Sequence, residues 1–328
     1  MTAAGQPRVW VLADPRAGTA AQALGIAERL GVPFRTVPVA WGPLARLPLP
    51  WPTSAGLATG ARAALASPRP RLVLSAGRRS APVARWLRAR GARTVHCMRP
   101  GFGGRDFDLL VIGRHDSPRP AANLVEILGA THRLSPARLA AARAEWAEAL
   151  AALPAPRVAL LVGGPVRGEG MLAEDAARLA SRVAARFADG SVLASTSRRT
   201  GPAATAAVAA ALAGRRHRLF GWGDPGPNPY AGFLAWADAV VVTGDSVSML
   251  SEACATAAPV YVATQEGGRH GRLVEGLYAA GQARPLGQAD APFARAPLDE
   301  TGRVAEAIRA RGWLDAADAA TARDASPR

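Results

Sequence analysis

The chain has 328 residues, which is long for a single core and fits two domains of about 150 residues each. Its net charge is +15, but the sequence contains no lysine, and the arginines are spread along the chain rather than gathered in one patch. This distribution argues against nucleic acid as a partner.

The two cysteines, Cys97 and Cys254, lie in different predicted domains and have no metal-ligand spacing around them. We therefore predict neither a disulfide nor a metal site, and no cofactor. The first residues lack the charged and apolar segments of a signal peptide, and no apolar run approaches the about 18 residues of a membrane span. A soluble cytoplasmic protein is predicted, and a peripheral position at the inner face of a membrane stays open.

Short apolar strands alternate with helices through the first half of the chain. Strands are predicted at residues 8–13, 34–39, 71–75, 93–98 and 108–112, with helices at 19–30, 56–66, 81–90 and 136–153. The prolines at 154 and 156 then mark the predicted linker between an N-terminal domain (1–153) and a C-terminal domain (154–328).

The same pattern restarts after the linker. Strands are predicted at residues 157–162, 191–195, 218–220, 239–242 and 260–262, with helices between them. A last helix at about 300–311 leaves open whether it packs back on the N-terminal domain. Alternation of this kind predicts an α/β fold with two Rossmann-like, doubly wound parallel sheets.

The segment from Trp41 to Pro52 (WGPLARLPLPWP) contains too many prolines for a helix or a strand. One hypothesis is that it forms an exposed apolar lip that meets a membrane surface or a lipid-linked acceptor. The alternative is a loop that folds back on its own domain.

The second half contains a stretch with the features of a phosphate site (residues 238–262, DAVVVTGDSVSMLSEACATAAPVYV). A buried strand, a turn and a helix follow one another, and Ser246 or Asp245 can cap the helix. The N-terminal end of such a helix attracts phosphate. Ser248 and Glu252 share one face of this helix, where a carboxylate can accept hydrogen bonds from ribose hydroxyls. The alternative is that the two capping candidates only cap and Glu252 is solvated.

Residues 228–262 resemble a family of glycosyltransferase-like proteins named after a plant mitochondrial-fission factor (the ELM-type family). Its bacterial members are described as similar to nucleoside-diphosphate-sugar epimerases. The segments WVLADPRAGTAAQALGIAERL, LVLSAGRRSAPVARWL, LLVGGP and STSRRT resemble the same family in the same order, so the resemblance covers nearly the whole chain. It implies a GT-B-like fold, in which two Rossmann-like domains face a cleft.

The resemblance also implies roles for residues of the second domain, which would bind a nucleoside-diphosphate sugar. Ser246 and Ser248 would contact the phosphates of the donor, and Glu252 its ribose. The remaining predicted contacts come from two turns that follow strands: Gly163 and Gly164, which would let the chain approach the ligand, and Arg198 and Arg199, which would stabilise the leaving diphosphate. Asp245 fits a diphosphate poorly and is expected to cap the helix.

The first domain would bind an acceptor, whose identity the sequence leaves open. Asp14 follows the first strand and is the predicted general base, and His115 or Asp116 is the next candidate for that role. Gly18 and Gln22 are predicted substrate contacts on the same side. An Asp-Pro turn with a structural role is an equally good reading of Asp14.

The leading functional prediction is a GT-B-type glycosyltransferase that moves a sugar from a nucleoside-diphosphate donor. Two alternatives remain open: a nucleotide-sugar epimerase or hydrolase on the same fold, and a non-catalytic binding or recruiting module.

Overall fold

The computed structural model describes residues 7–66, 69–165, 170–264, 267–288 and 293–314. They form two compact units, one running up to Arg133 and resuming at Asp299, the other spanning Leu134–Leu298. Each unit contains one six-stranded sheet in which every pair of neighbouring strands is parallel. The predicted fold class, α/β with two Rossmann-like sheets, is confirmed.

The strands are β1 (Val9–Ala13), β2 (Phe34–Pro38), β3 (Leu72–Ala76), β4 (Arg93–Cys97), β5 (Leu109–Gly113), β6 (Leu124–Ile127), β7 (Arg157–Val162), β8 (Ser191–Thr196), β9 (His217–Phe220), β10 (Ala239–Val242), β11 (Val260–Val262) and β12 (Arg284–Pro285). The helices are α1 (Ala17–Leu30), α2 (Thr59–Ala63), α3 (Ala81–Arg88), α4 (Pro136–Glu145), α5 (Ala147–Leu150), α6 (Ala173–Arg186), α7 (Pro202–Leu212), α8 (Tyr230–Trp236), α9 (Val247–Cys254), α10 (Gly268–Ala279) and α11 (Glu300–Arg309).

The first sheet has the strand order β2-β1-β3-β4-β5-β6 and is covered by helices on both faces. Alternate residues of β1 point to opposite faces, so Val9 and Val11 pack with α1 and α11, whereas Trp10 and Leu12 pack with α3. Because both faces are buried, the strand has an unbroken apolar sequence rather than an alternating one.

The second sheet has the order β12-β11-β10-β7-β8-β9. The chain runs outward from β7 through β8 to β9, then returns to β10 and runs outward on the other side. Such a reversal leaves a crevice at the carboxyl ends of the two central strands, where open α/β sheets bind their ligands. In this unit the central strands are β7 and β10.

The boundary between the units differs from the predicted linker. It lies between Arg133 and Leu134, about twenty residues earlier, because α4 packs against α8. Arg143 of α4 donates a hydrogen bond to the carbonyl oxygen of Ala235 (2.7 Å), and the Trp236 indole donates one back to the carbonyl oxygen of Arg143 (2.9 Å). The segment before the prolines is thus part of the second unit, and α11 is part of the first.

The predicted helix at residues 136–153 is divided into α4 and α5 at Trp146. Trp146 packs directly on Gly232, where a β-carbon would collide with the indole ring. Among the described residues, no helix has the length and apolar character needed to cross a bilayer.

Candidate functional site

The carboxyl ends of β7 and β10 carry the residues that the sequence predicts for phosphate binding. Gly163 and Gly164 follow β7, and residues 243–246 follow β10. The backbone N–H of Gly163 donates to Thr243 Oγ1 (2.8 Å), and the N–H of Gly164 donates to the Asp245 carboxylate. The structure therefore brings these two turns together.

Close packing against neighbouring loops explains why both positions are glycine. A β-carbon at Gly163 would collide with the Asp245 carboxylate, and one at Gly164 would collide with the backbone carbonyl of Arg199. The close approach visible at these positions is between loops of the same unit. Contact with a ligand through the same turn stays a prediction.

Arg199 supplies the positive charge of the site. Its guanidinium lies 3.8 Å from Asp245 Oδ2, donates to the Asp245 carbonyl oxygen at 3.4 Å, and is 27% exposed. Arg198, predicted as its equal, is exposed on the same turn. Of the two arginines, the structure places Arg199 at the site.

The capping role expected for Asp245 is wrong, because its carboxylate is bound by Gly164 and Arg199 instead. Ser246 is the N-cap of α9 and accepts a hydrogen bond from the Met249 N–H at 3.4 Å. A side chain with extended backbone before the first helical turn can satisfy such an N–H, which leaves other N–H groups of that turn for an anion.

Glu252 lies farther along α9 and binds Tyr230, the first residue of α8. The Tyr230 hydroxyl donates to Glu252 Oε2 at 2.8 Å. Burial raises the pKa of Glu252 to about 7, although the hydrogen bond from Tyr230 opposes this shift. The pKa of Tyr230 is raised well above its ordinary value, first by burial and then by the charge of Glu252. Ser248 is half-buried on the same helix.

Two residues of this region were missed by sequence reasoning. Tyr230 is one; the signal was its position at the start of the segment that carries the resemblance. The other is Arg295, whose guanidinium donates to the carbonyl oxygens of Ala253 (3.1 Å) and Cys254 (2.9 Å) at the C-terminal end of α9. Nothing in the local sequence around Arg295 indicates this contact.

In the first unit, the Asp14 carboxylate is 2% exposed and accepts three hydrogen bonds. Oδ1 accepts from the Arg16 backbone N–H (2.9 Å) and side-chain Nε (3.1 Å), and Oδ2 accepts from the Trp41 indole (3.0 Å). A substrate hydroxyl would have little access to a carboxylate this deeply buried. This arrangement favours the structural reading of Asp14, as the residue that joins two loops.

The structure does not bring His115 to Asp14. His115 is buried in a 3-10 turn after β5, with Nε2 3.9 Å from Asp116 Oδ2. Three strand spacings separate β5 from β1 in the sheet, which amounts to roughly 14 Å. His115 and Asp116 are therefore base candidates at a different strand end from Asp14, since β3 and β4 lie between them, and their catalytic role stays a prediction. Of the other predicted contacts, Gly18 is exposed in α1 and Gln22 is buried.

The geometry assembles one candidate site in the second unit, with a cation, a capped helix N-terminus and a carboxyl bound to a tyrosine. The cation and the helix N-terminus can bind a diphosphate, and the carboxylate can accept hydrogen bonds from hydroxyl groups next to it. In the part of the chain that the structure describes, no three His, Cys, Asp or Glu side chains are grouped as metal ligands.

Comparison with solved structures shows the fold. A UDP-GlcNAc 2-epimerase from Methanocaldococcus jannaschii is 12% identical, with a TM-score of 0.54 over 93% of this chain and 99% of that chain. A UDP-GlcNAc 2-epimerase from Neisseria meningitidis, solved bound to UDP-GlcNAc, is 12% identical, with a TM-score of 0.52 over 93% of this chain and 92% of that chain. The two-sheet architecture is GT-B-like.

Comparison of sequences shows the family. The mitochondrial fission protein ELM1 of Arabidopsis thaliana is 31% identical over an aligned length of 296, and the match covers 79% of this chain and 68% of that protein. The family model described as "Mitochondrial fission ELM1" matches residues 17–312. The chain therefore belongs to the mitochondrial fission ELM1 family.

Proposed function

We propose that the chain is a glycosyltransferase that binds a nucleoside-diphosphate sugar on its second unit. The observation that carries the proposal is the grouping of Arg199, the N-terminal end of α9 and Glu252 at the sheet's reversal point. A donor of this class has an anionic diphosphate beside ribose hydroxyls, and the site offers a partner for each.

The diphosphate would lie at Ser246 and Ser248, with Arg199 as its counter-ion. In sugar transfer the bond between the anomeric carbon and the phosphate oxygen breaks, and the acceptor oxygen takes its place. The leaving diphosphate gains negative charge, which Arg199 and the N–H groups of α9 would stabilise. The acceptor loses a proton, and we assign that step to no residue because both Asp14 oxygens already accept hydrogen bonds.

Glu252 would accept hydrogen bonds from the ribose while Tyr230 keeps its carboxylate oriented. The family's fold is shared with proteins that epimerise UDP-GlcNAc, and one of these was solved with UDP-GlcNAc bound. UDP-GlcNAc is therefore the first donor to test, and epimerisation or hydrolysis of that donor is the alternative activity.

The test is calorimetric titration of the full chain with UDP, GDP, ADP, CMP and UDP-GlcNAc. We expect one of them to bind saturably, and Arg199→Ala to weaken that binding about tenfold to hundredfold, because hydrogen bonds to charged groups are lost. Arg198→Ala is the matched control on the same turn and should bind as the wild type does. No binding by any nucleotide, or equal losses in both variants, would contradict the proposal.

Product analysis then separates the activities. Incubation with UDP-GlcNAc and no acceptor should release little free sugar if the protein is a transferase. Free N-acetylglucosamine would indicate a hydrolase, and inversion at C2 of the sugar an epimerase. Binding with neither product is the result expected of a transferase that lacks its acceptor and of a non-catalytic module alike.

A further inference from the structure

Most of the large apolar side chains that the structure shows as exposed belong to the first unit. Among the described residues, six large hydrophobic side chains are exposed, and four of them belong to this unit: Leu44, Leu47, Trp51 and Phe102. Trp51 is 59% exposed and Phe102 is 50% exposed, although both are large aromatic residues. Exposed patches of this kind mark interaction surfaces in folded proteins.

A buried arginine joins the two segments that carry Trp51 and Phe102. The Arg85 guanidinium donates to the Pro50 carbonyl oxygen at 2.7 Å, and it also packs against Gly103, where a β-carbon would collide with it. The residues next to Pro50 and Gly103 in sequence are Trp51 and Phe102. The backbone next to each aromatic residue thus lies against the same guanidinium.

Basic side chains border the same surface. A β-carbon on Gly101 would lie 3.3 Å from Cγ of Arg78, so the Arg78 side chain runs beside the loop that carries Phe102. The Thr53 N–H donates to the Pro82 carbonyl oxygen at 3.1 Å, which holds the end of the apolar segment at the first turn of α3, directly after Arg78 and Arg79. Arg105, two residues after Gly103, is also exposed. We call Leu44, Leu47, Trp51, Phe102, Arg78 and Arg105 the apolar-basic surface.

The charge of this region is strongly one-sided. Residues 41–58, 77–85 and 98–106 contain six arginines and a single acidic residue, Asp106. Asp106 is ion-paired with the buried Arg85, so its charge is already neutralised within the fold. The surface therefore offers positive charge beside exposed aromatic and leucine side chains.

We propose that the apolar-basic surface binds the surface of an anionic phospholipid bilayer. Leucine and aromatic side chains insert between head groups and acyl chains, while arginines attract the anionic head groups. A second copy of this chain fits less well, because a two-fold interface would place the arginines of one copy against those of the other.

The exposed apolar lip predicted for residues 41–52 is shorter in the structure than in the prediction. Trp41 does not belong to the surface, because its indole is bonded to Asp14 and its backbone pairs with Leu57 as an isolated antiparallel bridge. Trp41 anchors the segment at one end and Arg85 holds it at the other, at Pro50. Between these two anchors, the side chains of Leu44 and Leu47 stay exposed.

The test is co-sedimentation of the full chain with vesicles, without nucleotide, so that it does not depend on the proposed donor site. One set of vesicles is pure phosphatidylcholine, and the other contains about one third phosphatidylglycerol. We expect binding to the anionic vesicles only. Trp51→Ser with Phe102→Ser should weaken it about tenfold, and so should Arg78→Ser with Arg105→Ser.

The control is Leu172→Ser with Trp222→Ser, the two large exposed apolar side chains among the described residues of the second unit, at 71% and 66% exposure. This variant should sediment as the wild type does. Equal binding to neutral vesicles, or no loss in either test variant, overturns the proposal. A wild type that ignores both vesicles but forms a dimer, which Trp51→Ser with Phe102→Ser dissociates, would show a protein interface instead.

Hydrogen exchange of the wild type checks the location without any substitution. Anionic vesicles should protect amides of residues 44–52 and 98–106. Protection confined to the second unit would overturn the assignment of the surface.

Discussion

Asp245 shows how a single side chain can decide the state of a candidate site. It accepts the N–H of Gly164 and pairs with Arg199, so the positive charge proposed for the diphosphate is partly neutralised when no ligand is bound. A diphosphate would compete with Asp245 for that guanidinium. The carboxylate keeps its backbone partner in either case, which holds the two turns at their present separation.

Glu252 should make nucleotide binding depend on pH. Burial raises the pKa of Glu252 from 4.5 to about 7, and the ionised form accepts hydrogen bonds more strongly than the protonated form, which carries a donor of its own. We expect affinity to rise as the pH increases through about 7 and to level off above it. Glu252→Gln should remove this step. Calorimetric titration of the wild type and of Glu252→Gln at about pH 6 and about pH 8 measures this change in affinity.

The contribution of Glu252 to the free energy of unfolding should fall as the pH rises, whereas its contribution to nucleotide affinity should increase. Because its folded-state pKa is raised, the neutral form favours the fold, and this contribution is complete below pH 4.5 and lost as the pH rises through about 7. Urea unfolding of the wild type against Glu252→Gln measures the difference. Glu275→Gln, which changes an exposed carboxyl of α10, is the matched control. If both variants have the same pH profile, the shift at Glu252 plays no part.

At the scale of elements, α9 and α4 offer a matched pair of helix caps in one unit. Ser246 caps α9 at 3.4 Å from the Met249 N–H, and Ser135 caps α4 at 3.1 Å from the Arg138 N–H. Ser246→Ala and Ser135→Ala should each lower the free energy of unfolding by about 1 kcal/mol. Only Ser246→Ala should weaken nucleotide binding, and Ser246→Thr should restore it. Thermal unfolding and calorimetry distinguish the two effects, and a similar loss of affinity in both alanine variants would remove α9 from the site.

The elements that the sequence predicts well are those with a local signal. The buried strands β7 and β10 have apolar, β-branched sequences, and α9 begins at a capping serine, so both could be placed from neighbouring residues. By contrast, β6 is a short edge strand with the sequence LVEI, whose glutamate weakens the apolar pattern. Its position is fixed by pairing with β5 rather than by its own residues.

The contacts that escape prediction join distant parts of the chain. Gly164 and Asp245 are 81 residues apart, and Tyr230 and Glu252 are 22 apart, so no spacing rule relates their roles. The same holds for the unit boundary, which depends on α4 packing against α8 rather than on the prolines that follow.

At the scale of the whole molecule, the first unit is built from two separate parts of the chain. The chain leaves it after Arg133, forms the second unit, and returns with α11. Val304, Ala305 and Ile308 are completely buried in the same core cluster as α1. Polar contacts join the parts as well, since Glu300 accepts the Leu128 N–H at 2.6 Å.

This arrangement predicts that α11 is required for the stability of a unit whose other elements lie more than 160 residues earlier. A chain ended after Leu298 should lose the packing of α11, and amides of α1 and β1 should exchange faster with solvent. A chain ended after Leu314 retains α11 and is the control. Ile308→Ala, a milder change, should cost about 2–5 kcal/mol of unfolding free energy, because it leaves a cavity between α11 and the sheet. If the chain ended after Leu298 protects α1 as the control does, then the first unit folds without its second part, and α11 only covers a surface that is already stable.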